Sequence, residues 1–277
     1  MTRILLNNCG TAAGLIGCLG MALAMSSPAA AALVAAGDLL VDLRSQDLDA
    51  SSTTWTNHAA GAGAVGDFST TGGGNLAVAS GQGGVGKSLA VLGSAGDSVL
   101  SASTTPATVE GNNTRSVEAW LYSTDNGGSQ GAVSWGNSGN DLLSRFSYNT
   151  GGNGMLSSWF NDTGWGDDSA ILTNEWVHVA WTYDGDITRG YINGQLIATA
   201  DQPNPLATDN QVVSVGSSRA GGADPFKGYI ADVRVHTGVL ADADVLNNYR
   251  EGIAVPEPSA IAAIGVLLLG AGARRRG

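Results

Sequence analysis

Apolar and polar residues alternate along several short segments in the middle of the chain. Within 115–122, every second residue from Val117 to Leu121 is apolar, which is the period of two expected of a β-strand. The segment 175–183 is longer and is apolar on both faces, which predicts a strand inside a sandwich of two sheets. Helical periodicity is nearly absent here, so strands dominate the prediction.

Two dipeptides divide the region that follows into hairpins. Asp184-Gly185 separates the long apolar strand from Ile187–Ile192, and Asn193-Gly194 separates that segment from Gln195–Ala200. Both dipeptides tolerate positive φ at low cost, which favours tight turns between antiparallel strands. The sequence therefore predicts a meander of three strands.

The segment 227–236 alternates once more, and the prediction divides it into a core face and a polar face. The core face would carry Tyr229, Ala231, Val233 and Val235, and the polar face would carry Ile230, Asp232, Arg234 and His236. After it, Ala241–Glu251 is typical of a helix, with aspartates at its start and an arginine near its end. Many short strands and one short C-terminal helix predict an all-β fold, a two-sheet antiparallel β-sandwich.

The first 32 residues have the layout of a secretory signal peptide. Arg3 precedes an apolar stretch, and small residues follow from Pro28 to Ala32, so cleavage is expected near Ala30 to Ala32. Around Cys18 the sequence also resembles a lipobox, and lipidation of this cysteine is the alternative to plain cleavage. Cys9 and Cys18 are the only cysteines, so a chain that starts near Leu33 has no disulfide and depends on its core for stability.

The last residues form a second distinctive segment. Pro256-Glu257-Pro258 precedes an apolar run from Ala260 to Ala273, which is closed by Arg274, Arg275 and Arg276. The run is shorter than the about 20 residues that a relaxed helical span of a bilayer needs. On physical grounds, residues 253–277 are a marginal membrane segment with a positively charged cytoplasmic end.

This tail resembles the PEP-CTERM sorting signal of Gram-negative bacteria, also known as the ice-binding protein C-terminal motif. The resemblance implies recognition by an exosortase-type membrane protease, cleavage near the Pro-Glu-Pro and transient membrane anchoring. Delivery to the cell surface or the exopolysaccharide matrix would follow. The tail would then be a removable address, and it says nothing about ice binding by the preceding domain.

Length and charge limit the possible partners. Residues 33–252 are enough for one domain with a substantial core. The chain carries 13 basic and 24 acidic residues and a net charge of −11. A strongly negative protein is repelled by phosphate backbones, so nucleic acid and anionic membranes are not expected as partners.

Motifs spread over about residues 39–251 resemble the laminin G-like domains of the concanavalin A-like lectin and glucanase class. Their order along the chain is more specific than any one of them. The resemblance implies a concanavalin A-like jelly roll for residues 33–252. The motifs are Gly83–Leu89, Ser116–Trp120, Glu175–Ala180, Tyr191–Gly194 and Phe226–Val235.

The segment Gly81–Ser88 satisfies the spacing of a phosphate-binding loop, with Lys87 in the lysine position. Such a loop joins a buried strand to a helix, but Gly93 and Gly96 interrupt any helix that could follow. We therefore interpret the glycines as a turn between strands and Lys87 as a solvated residue. No nucleotide is expected to bind.

Catalysis is the less favoured reading of this fold. Laminarinase-type glucanases share it and use two carboxylates a few residues apart on one strand, but Glu118 stands alone on its strand. His178 has no cysteine, serine nucleophile motif or second histidine close to it in sequence, and His58 and His236 are isolated too. We interpret Glu118 and these histidines as structural.

Two calcium sites are candidates. In the first, Asp232 holds a structural ion together with backbone carbonyls, as the resemblance to glucanase sandwiches implies; the alternative is an exposed carboxylate paired with Arg234 or Lys227. The second is the loop 161–168, which is rich in oxygen ligands but has no regular ligand spacing. Its acidic candidates are Asp162, Asp167 and Asp168.

The same loop is the candidate sugar site. Trp165 lies between two glycines outside any strand pattern, so its indole is expected to be exposed and to stack on a sugar, while Asn161 and the loop aspartates bond hydroxyls. The alternative is an aromatic ring folded back over the edge of the sandwich. Trp120, Trp176 and Trp181 are expected in the core.

Three functions remain open at this stage. The first is an exported, non-catalytic surface or matrix protein that binds carbohydrate or mediates adhesion. The second is a passive structural component of the exopolysaccharide matrix, and the third, least favoured, is a polysaccharide-active enzyme. The fold does not choose between them, because recognition lies in variable loops.

Overall fold

The computed structural model describes residues 32–252 except 62, 126, 151–154, 158–162, 166–171 and 202–203. The predicted signal peptide and sorting tail, apart from residue 32, lie outside these residues. The described chain forms two antiparallel eight-stranded sheets and one C-terminal α-helix, which confirms the predicted β-sandwich. None of its helices has the length and hydrophobicity that a bilayer span requires.

Strands are numbered along the chain. The first sheet has the order β14-β13-β12-β7-β16-β5-β4, with β1 also paired to β16. Its strands are β1 (Leu39–Leu43), β4 (Val78–Ser80), β5 (Lys87–Leu92), β7 (Arg115–Ser123), β12 (Val177–Tyr183), β13 (Ile187–Ile192), β14 (Gln195–Asp201) and β16 (Lys227–His236).

The second sheet has the order β11-β10-β9-β8-β15-β6-β3-β2. Its strands are β2 (Thr54–Trp55), β3 (Phe68–Thr70), β6 (Val99–Thr104), β8 (Ser129–Gly136), β9 (Leu143–Thr150), β10 (Met155–Ser157), β11 (Thr163–Trp165) and β15 (Val212–Val215). Sequence-distant strands are neighbours in both sheets, as expected of a jelly roll.

The main core lies between the two sheets. The rings of Trp181 from the first sheet and Phe146 from the second stack across it, with centroids 6.4 Å apart and planes 10° from parallel. Both side chains are buried, and full burial of such an apolar side chain contributes about 1.5–3 kcal/mol. The alternating residues Val117 and Leu121 belong to this core, as predicted.

The predicted meander is confirmed. β12 lies between β7 and β13 and is buried along its whole length, and Asp184-Gly185 and Asn193-Gly194 form the two turns. Asn193 and Gly194 both have positive φ, of 49° and 74°. The dipeptides thus supply the backbone conformations that such turns require.

The closing strand β16 differs from its prediction because of a bulge. Asp232 has a φ of 40°, and the register between β16 and β7 shifts between Ala231 and Val233. An extra residue reverses the faces of all residues on one side of it. Ile230 therefore packs in the core with Val233 and Val235, while Tyr229 and Ala231 belong to the opposite face.

The helix α1 (Asp242–Glu251) lies on the outer face of the first sheet. Its Tyr249 ring stacks on Trp120 of β7, with centroids 5.7 Å apart. Asn248 donates a hydrogen bond to Val34 O and accepts one from Val34 N–H, at 2.9 and 2.8 Å. The helix therefore holds the beginning of the domain against its end.

The glycine-rich segment is the turn between β4 and β5, as interpreted from the sequence. Gly81 N–H donates to Gly86 O, which closes the turn. Lys87 is exposed but is not merely solvated, because its ammonium donates to Gln46 O and Leu48 O at 3.2 and 2.7 Å. This lysine ties β5 to a neighbouring 3₁₀ turn.

Candidate functional site

Most residues of the predicted loop site and sorting signal lie outside the described residues. This applies to Asn161, Asp162, Asp167 and Asp168 and to the tail residues Pro256, Glu257, Pro258, Arg274, Arg275 and Arg276. Cys18 also lies outside. The roles predicted for these residues stay predictions.

Trp165 does lie in a strand, contrary to the expectation that it is outside any strand. It ends β11, an edge strand of the second sheet, and is in register with Met155 of β10. Met155 is in turn in register with Tyr148, which is buried in the core. The sugar-stacking role predicted for Trp165 stays a prediction.

Asp232 is buried at the bulge of β16 and is not an exposed, salt-bridged carboxylate. Its side chain accepts a hydrogen bond from the Ser45 backbone N–H at 2.7 Å. Arg234 pairs instead with Asp42 and Glu251, and Lys227 pairs with Asp125. The alternative of a surface ion pair at Asp232 is therefore wrong.

The surroundings of Asp232 limit the calcium site that the resemblance implies. No group of three or more His, Cys, Asp or Glu side chains in the described residues could hold a metal ion. The bond from Ser45 occupies Oδ1, and no described residue donates to Oδ2. Asp232 fits the role of a single anionic ligand, so an ion here would take its other ligands from carbonyl oxygens and water.

Glu118 is the centre of a buried polar network that local sequence analysis missed. Its carboxylate lies 3.1 Å from His236 Nε2 and 3.4 Å from His178 Nε2, and it accepts a hydrogen bond of 2.9 Å from Asn248 Nδ2. All four side chains are buried. His178 and His236 are therefore not isolated, although they are far apart in sequence.

The network keeps Glu118 ionised. Burial alone would raise its pKa, but the imidazole of His178, 3.4 Å away, and the hydrogen bond from His236 outweigh burial and lower the pKa from 4.5 to about 2. His236 Nδ1 accepts the Ala36 N–H at 3.3 Å, so its Nε2 carries the proton that Glu118 accepts. Glu118 is therefore an ionised carboxylate at neutral pH, buried beneath α1 and bonded to Asn248 of that helix.

Two hydrogen-bonded pairs of polar side chains join the β8–β9 loop to the β14–β15 and β15–β16 loops. Asn137 Nδ2 donates to Asp209 Oδ2 at 2.7 Å, and Arg219 Nη1 donates to Ser138 Oγ at 3.0 Å. Asn137 and Ser138 are exposed, and the other two are half-buried. We call these four residues the polar loop cluster.

Buried serines fix one loop of this cluster to the sheet. Ser134 of β8 donates to Ser217 O at 2.9 Å, and the hydroxyls of Ser214 and Ser217 lie 2.6 Å apart. Ser217 Oγ also donates to Arg219 O at 3.0 Å. The loop is therefore held in one conformation, which orients the polar side chains before any ligand arrives.

Sequence patterns could not identify the polar loop cluster. Its members lie in the β8–β9, β14–β15 and β15–β16 connections, up to 82 residues apart. Polar residues in such loops are ordinary, and no pattern along the sequence marks these four. Their convergence depends on β15 pairing with β8.

Similar structures share the sandwich at low sequence identity. Domain 4 of AbnA, a GH43 extracellular arabinanase from Geobacillus stearothermophilus, in complex with arabinotriose, is 19% identical with a TM-score of 0.58, covering 77% of this chain and 99% of that one. The binding domain of Paraclostridial Mosquitocidal Protein 1 is 13% identical with a TM-score of 0.55, covering 76% of this chain and 52% of that one. A Trypanosoma rangeli sialidase is 14% identical with a TM-score of 0.52, covering 79% of this chain and 33% of that one.

No curated protein matches this chain significantly in sequence. The model of the family described as the concanavalin A-like lectin/glucanases superfamily matches residues 92–246, which is more than half of the chain. That range includes β7, β12, β16 and all four residues of the polar loop cluster. The chain therefore belongs to the concanavalin A-like lectin/glucanases superfamily.

Proposed function

We propose that this chain is an exported, non-catalytic carbohydrate-binding protein that binds a glycan through the polar loop cluster. The observation that carries the proposal is the convergence of Asn137, Ser138, Asp209 and Arg219 from three loops, held in place by hydrogen bonds. Together they offer a carboxylate, an amide, a guanidinium and a hydroxyl to sugar hydroxyls, which both donate and accept. The AbnA domain, which has a similar fold, was solved with arabinotriose, and this supports carbohydrate as the ligand class.

A binding role is favoured over glycoside hydrolysis. Hydrolysis needs two carboxyl groups about 5 to 10 Å apart, one of which gives a proton to the leaving group. The lowered pKa of Glu118 keeps it ionised, and its burial keeps it from a polysaccharide. Glu118 therefore fits neither the proton donor nor the second carboxylate of such a pair.

We also propose that the protein works at the surface or in the matrix of a Gram-negative bacterium. The support comes from the signal peptide pattern and from the PEP-CTERM resemblance of the tail. Intact mass spectrometry of the native protein tests this part. A mature chain from about Leu33 to the Pro-Glu-Pro is expected, whereas retention of Arg274–Arg276, or a diacylglycerol on Cys18, would contradict it.

A glycan array followed by calorimetry tests the binding function. We expect Asn137→Ala and Asp209→Asn each to weaken binding by up to about tenfold, the effect of one lost hydrogen bond. Asp186→Asn, an exposed change in the β12–β13 turn, is the matched control. Trp165→Ala tests the loop predicted from the sequence.

Three outcomes would contradict the proposal. Unchanged affinity in both cluster variants, with binding lost in Trp165→Ala, would place the site at the loop around residue 165. No binding to any glycan would favour the passive matrix role, and release of reducing sugar from a bound polysaccharide would favour an enzyme.

A further inference from the structure

A second surface, on the first sheet, combines half-buried aromatic rings with apolar side chains. Tyr122 of β7 and Tyr229 of β16 are in register, and their rings meet edge to face with centroids 5.8 Å apart. Trp176, just before β12, packs edge to face on the other side of Tyr122, with centroids 5.6 Å apart. All three are half-buried, so Trp176 is not the core residue predicted from the sequence.

The glycine-rich turn holds one end of this group of rings. Trp176 Nε1 donates to Gln82 O at 2.8 Å. Gly83 lies so close that a Cβ there would be 2.8 Å from Trp176 Cδ1 and 3.0 Å from Tyr122 Cε2. The motif that resembles a phosphate-binding loop in sequence therefore serves as the wall of an aromatic surface.

Small and aliphatic residues continue the surface on the other side. Ala90 of β5 is in register with Tyr229, and Leu92, which is 60% exposed, is in register with Lys227. Ala90, Tyr229 and Tyr122 thus lie in register on three neighbouring strands, and the Trp176 ring continues this row to a length of about 14 Å at the usual strand spacing. We call this row, together with Leu92, the outer aromatic row.

The polar groups around the row select a neutral ligand. Lys227 Nζ pairs with Asp125 at 2.7 Å and donates to Gly127 O, and Lys87 bonds two backbone carbonyls. Neither cation is available to an anionic ligand, and the net charge of −11 repels one. Within the described residues the phenolic hydroxyls of Tyr122 and Tyr229 have no hydrogen-bonding partner.

We propose that the outer aromatic row is a second carbohydrate site, which binds a neutral polysaccharide chain by stacking. The apolar face of a sugar ring covers aromatic and aliphatic carbon, and its hydroxyls bond the tyrosine hydroxyls at the edge. A row of this length contacts more than one sugar of a chain. The inference rests on the proposed function in that it takes carbohydrate as the ligand class, but it uses a different sheet and different residues.

Affinity electrophoresis of the whole exported domain tests the proposal. The gels contain arabinan, mixed-linkage glucan or galactomannan, with alginate as the anionic comparison. We expect at least one neutral polysaccharide, and not alginate, to retard the wild type. Tyr229→Ala should weaken that interaction about tenfold, and Tyr229→Phe should retain most of it. Leu92→Gln should weaken it severalfold, and its exposed position keeps the test open if Tyr229→Ala does not fold.

Each of the other outcomes would contradict a specific part of the two proposals. Retardation that Asn137→Ala abolishes and that Tyr229→Ala and Leu92→Gln leave unchanged would overturn the second site and keep the proposed function. Absence of retardation by every polysaccharide would overturn both, and retardation by alginate alone would overturn the neutral ligand. Self-association in sedimentation that Leu92→Gln abolishes would make the row a contact between two copies of the chain.

Discussion

The carboxylate of Asp232 accepts the backbone N–H of Ser45 at 2.7 Å, and this bond joins two residues separated by 187 positions. It connects the bulge of β16 to the turn that follows β1. Asp232 has a positive φ. Asp and Asn adopt this left-handed backbone conformation more readily than most other residues do. The side chain of Asp232 therefore bonds Ser45, and its backbone conformation forms the bulge of β16.

The resemblance predicts that Asp232 also binds calcium, and melting temperatures test it. If calcium binds the folded state only, it raises the melting temperature by mass action, and chelation lowers it. Asp232→Asn should abolish the calcium effect while retaining the bond to Ser45, because the amide oxygen still accepts. Equal melting of the wild type in calcium and in chelator would leave Asp232 with the bulge role alone.

Glu118 should make stability depend on pH in the acid range. Because its pKa is lowered from 4.5 to about 2 in the folded state, the ionised form stabilises the fold above pH 4.5. This contribution, on the order of 3 kcal/mol, is lost as the pH falls through the folded pKa. Glu118→Gln should therefore lower the unfolding free energy at pH 7 by roughly 2 kcal/mol and flatten its acid dependence.

Urea denaturation between pH 2 and pH 7 measures both effects. Glu175→Gln is the control, because Glu175 is exposed. If Glu118→Gln and the control have the same acid dependence as the wild type, the buried network does not control acid stability.

Gly83→Ala should destabilise the protein more than Gly84→Ala does. Both glycines have positive φ, but a Cβ at Gly83 meets Trp176 at 2.8 Å, whereas one at Gly84 meets nothing within 4 Å. Backbone strain is common to both, and overpacking adds about 1–3 kcal/mol at Gly83 alone. Thermal melting measures the difference, and equal melting temperatures would mean that the turn moves away from Trp176 easily.

Lys87→Ala should lower stability by up to about 1 kcal/mol, because the ammonium bonds two backbone carbonyls. The sequence interpretation took this lysine as solvated, and a solvated lysine could be replaced without a change in stability. ATP should not bind either form in calorimetry. ATP binding by the wild type that Lys87→Ala abolishes would reverse our interpretation of the glycine-rich segment.

Local patterns in the sequence were enough to predict the fold class. Period-two alternation identified β7, a long apolar segment identified β12, and Asp184-Gly185 and Asn193-Gly194 located two turns, because these signals depend on the pleat, on burial and on φ at single residues. The same logic failed in β16. One bulge residue, Asp232, reverses the faces beyond it, and nothing in the local alternation marks an extra residue.

The candidate sites depended on tertiary structure. The sequence by itself determined a sandwich with polar loops and placed Trp165, Asp232 and Glu118 as residues of interest. Only the folded chain brought His178 and His236 to Glu118, Asn137 to Asp209, and Trp176 to Tyr122. The physical reason is that residues on neighbouring strands meet through pairing and register between distant segments, which a period along one segment does not encode.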